Sequence, residues 1–146
     1  MDTTLTLNSD GIGFYQDRTK KYVFVDKYLV PSKMTYLMRH EFSEGYALTK
    51  NINGKLAFID NTGTARIDLS AYDDAGDFSE GKAWVMKNGK YGYINTRGSL
   101  VIDTIFTYAS NFKNGQAYVA TGARQGIIKM AGKNEKFPQL TINNIR

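Results

Sequence analysis

Few side chains in this sequence have the chemistry that catalysis needs. The 146 residues contain a single histidine, His40, and no cysteine. A Ser–His–Asp triad requires a histidine, but His40 stands between Arg39 and Glu41 in a charged segment, which is typical of a surface side chain. Zinc sites use several nitrogen or sulfur ligands, which one histidine without cysteine does not supply. The sequence therefore predicts no catalytic residue, no metal site and, without a phosphate-binding loop motif, no cofactor.

Acidic residues recur at positions that could support acid–base chemistry or bind a cation. Glu44 and Glu80 are equivalent positions 36 residues apart, and paired carboxylates can act as general acid and base. The third equivalent position holds Asn114, and since a glycine follows in every case, a role in tight turns is favoured. The segment 73–77 (DDAGD) could ligate calcium, but the equivalent segment 107–111 lacks the acids, which favours a solvated loop.

Aromatic and basic side chains are better candidates for a binding surface. Trp84 and Tyr118 share one repeat position, from which Tyr46 is two residues out of register, and Tyr91 has no aromatic counterpart. Exposed rings of this kind offer a large contact area at a low entropy cost. Residues 112–146 carry six basic side chains and one acidic side chain. The candidate surface therefore comprises Trp84, Tyr91, Tyr118, Lys129, Lys133 and Lys136.

The net charge of +5 comes from this last quarter of the chain. A basic patch can attract an anionic partner. Nucleic-acid binding would need basic residues interleaved with exposed stacking rings, and few rings lie there, so a solvated basic end is favoured over nucleic-acid recognition.

Two sequence motifs recur with a period of about 35 residues. The first begins with phenylalanine and contains Gly and Ala at fixed positions, in residues 42–47 (FSEGYA), 78–83 (FSEGKA) and 112–117 (FKNGQA). The second follows a turn, in residues 54–60 (GKLAFID), 89–95 (GKYGYIN) and 123–129 (ARQGIIK). This register divides one domain, residues 1–146, into a partial unit 1–41 and the units 42–77, 78–111 and 112–146.

The clearest unit is interpreted as a three-stranded antiparallel meander. The β-prone runs 83–87 and 91–95 flank Asn88-Gly89, a hairpin dipeptide in which both residues tolerate positive φ. A second turn at 96–98 leads to a third strand at 99–102. The predicted fold class is therefore all-β, with tandem antiparallel three-stranded meanders of about 35 residues.

A single meander cannot bury its apolar face, so neighbouring units must stack, either as an open array or by closing into a barrel or a propeller-like ring. Pairing between the alternating runs 4–7 and 140–142 would protect two sheet edges and favour closure. No window has a sustained helical period, and at most a short helical turn is expected in 31–39 or 69–74.

The units resemble those of the WG-repeat family of bacterial proteins, because Phe-x-Glu-Gly-x-Ala-x-Val is followed by Asn-Gly-Lys-Tyr-Gly-Tyr-Ile-Asn. Tyr91-Gly92 matches the Trp-Gly pair that names the family, and Gln125-Gly126, Leu56-Ala57 and Ile12-Gly13 match it more loosely. The resemblance implies an all-β repeat protein without an established catalytic site, which binds proteins or cell-envelope material. It transfers no functional residue, because the motif positions are structural.

The leading hypothesis is a non-enzymatic protein-binding or scaffolding module that uses exposed aromatics with Lys and Arg at the rim. One alternative is a domain that binds cell-wall polysaccharide or another anionic polymer through the basic end, and another is a small-ligand pocket in a closed ring. No segment has the roughly 18 apolar residues of a membrane span, and the N-terminal residues lack a secretion-signal pattern. The compartment stays open, since the resemblance also allows an envelope or secreted protein.

Overall fold

The computed structural model describes residues 4–130 and 138–143, and all regular structure in these ranges is β-strand. Each strand pairs antiparallel with a neighbour in the chain. The all-β prediction is therefore confirmed. The chain forms two compact units, residues 1–70 and 71–146. That residues 1–146 behave as a single domain stays a prediction.

The first unit is one sheet of seven strands that follow one another in chain order. Its strands are β1 (Thr6–Leu7), β2 (Gly13–Gln16), β3 (Tyr22–Val25), β4 (Pro31–Arg39), β5 (Ala47–Asn51), β6 (Leu56–Ile59) and β7 (Ala65–Asp68). Strand β4 is the longest, because it pairs with β3 along one part and with β5 along another.

The second unit consists of two four-stranded sheets. The first sheet contains β8 (Asp74–Ala75), β9 (Lys82–Lys87), β10 (Lys90–Asn95) and β11 (Leu100–Phe106). The second sheet contains β12 (Tyr108–Ala109), β13 (Gln116–Thr121), β14 (Arg124–Met130) and β15 (Pro138–Asn143). In both sheets the strands again lie in chain order.

Longer hairpin loops share one design, in which the first residue is Asn or Asp. Its Oδ1 accepts hydrogen bonds from the N–H groups two and four residues later, as Asp60 does from Thr62 and Thr64. The fourth loop residue adopts a left-handed φ, which glycine tolerates without strain. Glycine occupies this position in most of these loops, such as Gly63 and Gly98, whereas Lys20 (φ 66°) and Leu29 (φ 64°) occupy it in two of them.

Tight two-residue turns end the other hairpins. Glu80 and Gly81 both have positive φ, as do Asn114 and Gly115, and the residues on either side form a bridge. This is the turn geometry that right-twisted antiparallel strands require. The positions of Glu44, Glu80 and Asn114 agree with the interpretation that these residues form turns.

Residues 31–39 and 69–74, where the sequence allowed at most a short helical turn, contain no helix. Residues 31–39 form strand β4 rather than a helical turn, because hydrogen-bonded strands flank them on both sides and bury Tyr36. Residues 69–74 contain a turn at 70–71, a bend at 73 and the start of β8. The expected pairing of 4–7 with 140–142 would join the two units, and it stays a prediction.

The fourth strand of each sheet in the second unit was missed by the three-stranded interpretation. Strands β8 and β12 have two residues each, and a pair of residues is too short to carry an alternating pattern. Ala75 pairs with Val85, and Ala109 pairs with Val119, so the two short strands occupy equivalent positions.

The core of the first unit is aromatic. Phe14 and Phe24 meet edge to face at 5.6 Å between ring centroids, and Phe42 stacks on Phe14 at 5.8 Å. Gly63 lies so close to Phe24 that a Cβ atom there would come within 2.7 Å of Cδ2 of that ring. Gly63 therefore serves both the left-handed turn and the close packing of the loop on the core.

Candidate binding surface

Trp84 and Tyr91 lie on the β9–β10 hairpin, where their rings form one half-buried aromatic pair. The ring centroids are 5.2 Å apart at 70°. Both rings pack against a core cluster that contains Ala117, Val119 and Ile128 of the following sheet. Two of the predicted binding residues therefore pack against the core that consecutive sheets share.

Tyr93 also contributes to the contact between the two sheets. Its side chain is fully buried, and its hydroxyl donates a hydrogen bond to the Ser110 carbonyl at 2.6 Å. Its ring lies 4.9 Å from that of Phe112 in an edge-to-face arrangement. Burial raises the pKa of Tyr93, with a smaller contribution from Tyr108. The phenol therefore stays protonated and keeps donating this bond.

Glu80 links two turns that are equivalent in consecutive repeats. Its carboxylate accepts hydrogen bonds from the backbone N–H groups of Asn114 and Gly115, the latter at 2.7 Å. Beside it, the Ser79 hydroxyl donates to the Phe112 carbonyl at 2.6 Å. The sequence indicated a turn residue here, but the carboxylate also binds the next turn along the chain.

One face of strands β12, β13 and β14 carries two exposed tyrosines. Tyr118 is opposite Ile127 in the strand register, and Ala120 is opposite both Tyr108 and Gln125. Directly opposed residues project from the same side of a sheet. Tyr108 is 54% exposed and Tyr118 is 58% exposed. We call this surface the tyrosine face; it comprises Tyr108, Tyr118, Ala120, Gln125 and Ile127.

A groove of about 180 Å³ runs along the tyrosine face, with Val119 and Gly126 also in its lining. Lys129 is exposed and lies two residues beyond Ile127, so the alternation of a strand places it on the same face. The structure therefore brings together Tyr118 and Lys129 of the predicted surface, and it places Trp84 and Tyr91 on the preceding sheet. Lys133 and Lys136 lie outside the described residues.

Sequence reasoning missed Tyr108. Its equivalent 34 residues earlier is Asp74, so the ring departs from the repeat in the same way as Tyr91 does. That departure was the available signal, but the position was read as part of a loop because β12 has only two residues.

The acidic segment 73–77 does not have the geometry of a cation site. Asp73 accepts a hydrogen bond from the Asn88 N–H at 2.9 Å, and Asp74 accepts one from the Ala75 N–H at 2.8 Å. Across the described residues, no group of three or more His, Cys, Asp or Glu side chains is placed to hold a metal ion. These carboxylates stabilise backbone turns.

A larger cavity, of about 270 Å³, lies in the first unit between β4, β5, β6 and β7. Two of its polar side chains are engaged by neighbours: the Thr49 hydroxyl donates to the Ala57 carbonyl at 3.0 Å, and Arg66 pairs with Asp60. The cavity therefore offers mainly apolar surface. Within 4–130 and 138–143, no helix is long and apolar enough to cross a membrane.

Two consecutive stretches, residues 57–91 and 91–122, match the family described as WG containing repeat. Residues 57–122 are therefore similar to WG repeats. The matched stretch runs from β6 to β13 and includes the β9–β10 hairpin and the turns linked by Glu80. No curated protein sequence matches the chain.

Several solved structures are similar to parts of this chain at low identity. KlHsv2 with loop 6CD replaced by a Gly-Ser linker has a TM-score of 0.47 and 11% identity over 87% of this chain and 48% of that one. BamB from Moraxella catarrhalis has a TM-score of 0.46 and 10% identity over 87% and 49%. The hemopexin fold protein CP4 from cow pea has a TM-score of 0.36 and 15% identity over 97% and 90%. The chain spans about half the length of the first two.

Proposed function

We propose that this WG-repeat chain is a non-enzymatic protein-binding module whose docking site is the tyrosine face. In this proposal, meanders of about 35 residues repeat in tandem, and each sheet stacks on the next. The observation that carries it is the different burial of equivalent faces in consecutive repeats.

In the β8–β11 sheet, the face with Trp84, Tyr91 and Tyr93 packs against the next sheet. The equivalent positions 34 residues later hold Tyr118, Gln125 and Ile127. Here Tyr118 and Gln125 are exposed and Ile127 is half-buried. The same side of the repeat thus contacts a sheet in one copy and is open in the next, which supports its use as a contact surface for another protein.

The composition of the tyrosine face also suits a protein partner. Tyrosine is enriched among residues that dominate binding energy, and a polar rim surrounds the apolar centre of many interfaces. Gln125 and Lys129 supply such a rim beside the two rings. Burial of the two tyrosines would contribute more to affinity than Lys129, which lies exposed at the edge.

An affinity pull-down from native lysate at two salt concentrations, read by mass spectrometry, tests this proposal. The wild-type chain and three variants are compared: Tyr108→Ser with Tyr118→Ser, Lys129→Glu, and Ile105→Ser as a matched change at an exposed apolar residue on β11. We expect a salt-resistant protein that the wild type and Ile105→Ser retain and the double tyrosine variant loses. A photo-crosslinking residue at position 118 should label the same protein.

Capture that is equal in the double tyrosine variant would contradict the docking site. Capture of polyanions alone, abolished by high salt and by Lys129→Glu, would favour the alternative function, binding of a cell-envelope or other anionic polymer. The observation that favours this second function is the position of exposed Lys129 on the same face as Tyr118.

A further inference from the structure

Three consecutive apolar residues are exposed at the tip of the β3–β4 hairpin in the first unit. Tyr28 is 74% exposed, Leu29 62% and Val30 55%. No other run of three consecutive large apolar residues is this exposed in the described parts of the chain. Exposed apolar side chains in a contiguous group mark surfaces that contact another molecule or a membrane.

The same loop in later repeats is polar. Residues 62–64 (TGT) and 97–99 (RGS) stand where residues 28–30 (YLV) stand here. Leu29 adopts a left-handed φ of 64°, whereas Gly63 and Gly98 occupy the equivalent positions. A branched side chain in this conformation is strained. Because the side chain is exposed, it gains no packing energy that would offset the strain. The residues at this tip therefore oppose stability, which indicates a role outside the fold.

The backbone N–H groups of the tip already have hydrogen-bond partners within the loop. The N–H groups of Tyr28 and Val30 donate to Asp26 Oδ1 at 2.9 Å and 3.0 Å, and that of Leu29 donates to the Asp26 carbonyl at 2.9 Å. In hydrocarbon, a backbone N–H without an internal partner is costly. The three donors at the apex are already satisfied, so the side chains can leave water without exposing them.

Basic side chains flank the three apolar residues of the tip. Lys27 precedes the three residues and Lys33 follows them on β4, and both are exposed. The Lys27 ammonium lies 5.2 Å from the Tyr28 ring centroid. Asp26 is engaged by the backbone, and Asp10 lies across a cleft lined also by Ile12 and Tyr28. A tyrosine ring between an apolar tip and lysines is the arrangement that suits the headgroup layer of a bilayer.

We propose that the loop Tyr28–Val30 inserts into the surface of a membrane that contains anionic lipids. Leu29 and Val30 enter the apolar boundary, Tyr28 lies at the level of the headgroups, and Lys27 and Lys33 attract the lipid charges. The insertion is shallow and peripheral, and it is independent of the protein-binding proposal, because the tip and the tyrosine face belong to different units.

Sedimentation with large vesicles tests the proposal, using phosphatidylcholine alone and an equal mixture of phosphatidylcholine and phosphatidylglycerol. Wild-type protein should sediment with the mixture, and Leu29→Gly should lower the partition coefficient by about tenfold, as expected for one buried leucine. Lys27→Gln should weaken binding to the mixture by about fivefold and leave binding to phosphatidylcholine unchanged. Ile105→Ser, a matched change at another exposed apolar residue, should bind as the wild type does.

The Leu29→Gly variant separates binding from folding, because glycine relieves the left-handed φ and should leave the urea midpoint unchanged or raise it. Weaker vesicle binding by an equally or more stable protein would support insertion of the tip. Absence of wild-type sedimentation with both vesicle types, or equal sedimentation of Leu29→Gly, overturns the proposal. An apolar pocket on a protein would then be the remaining class of ligand for this loop.

Discussion

Replacing Glu80 with Gln should weaken the connection between consecutive repeats. The carboxylate accepts two backbone hydrogen bonds, from Asn114 and Gly115. A glutamine has one acceptor oxygen and an amide group that cannot accept the second N–H. Glu80→Gln therefore removes the negative charge and one bond while it keeps the size of the side chain.

The expected cost is about 1–2 kcal/mol in the free energy of unfolding. Hydrogen bonds to charged groups contribute roughly 1.5–3 kcal/mol each, and the exposure of Glu80 places the effect at the lower end of that range. Urea denaturation measures the global change. Hydrogen exchange measures the local one, since the amides of Asn114 and Gly115 should exchange about tenfold faster in the variant.

Glu41→Gln is the matched control for this change. Glu41 pairs with Arg39 and is 84% exposed, and such a surface pair contributes at most about 1 kcal/mol. If Glu80→Gln costs no more than Glu41→Gln and the two amides exchange at the wild-type rate, the carboxylate does not link the repeats, and the reasoning from its geometry is refuted.

Two further changes test other contacts. Burial raises the pKa of Asp60, but hydrogen bonds from Thr62, Arg66 and Thr64 outweigh that effect and lower it to about 2. A lowered folded-state pKa stabilises the protein above the unfolded pKa near 4, so about 1–2 kcal/mol should be lost as the pH falls from about 4 to about 2. The free energy of unfolding measured against pH should not show this loss in Asp60→Asn. A pH profile equal to that of the wild type would contradict the prediction. Tyr93→Phe should cost about 1–2 kcal/mol in urea denaturation, because the Ser110 carbonyl loses its donor, whereas a stability equal to the wild type would show that water replaces the hydroxyl.

The repeat was readable from the sequence because its turns depend on specific residues. Asn88-Gly89 predicted a hairpin whose two central residues need positive φ, and both have it. The recurring Phe78 and Phe112 indicated core positions, and both are fully buried. Backbone conformation and burial each restrict which residue types a position accepts. Both therefore leave a recurring pattern in the sequence.

The candidate surface was only partly predictable. Tyr91 and Tyr118 were both predicted for this surface, but Tyr91 is half-buried against the core cluster and Tyr118 is exposed. Which copy of a repeated face is covered depends on its neighbour and not on its own residues. The role of Tyr28–Val30 was also missed, because an apolar tripeptide after Lys27 looks like the start of a strand until its exposure is known.

The sequential order of the strands has a consequence for how quickly the protein reaches this structure. In the first unit, β1 to β7 each pair only with the strand before and the strand after, and the four-stranded sheets of the second unit follow the same order. Chain segments that must meet are therefore separated by short loops, and the entropy lost in closing them is small. Most all-β proteins fold slowly because their strands pair across long stretches of chain. Here any hairpin can serve as a nucleus, and each sheet can grow from it by the addition of the adjoining strand.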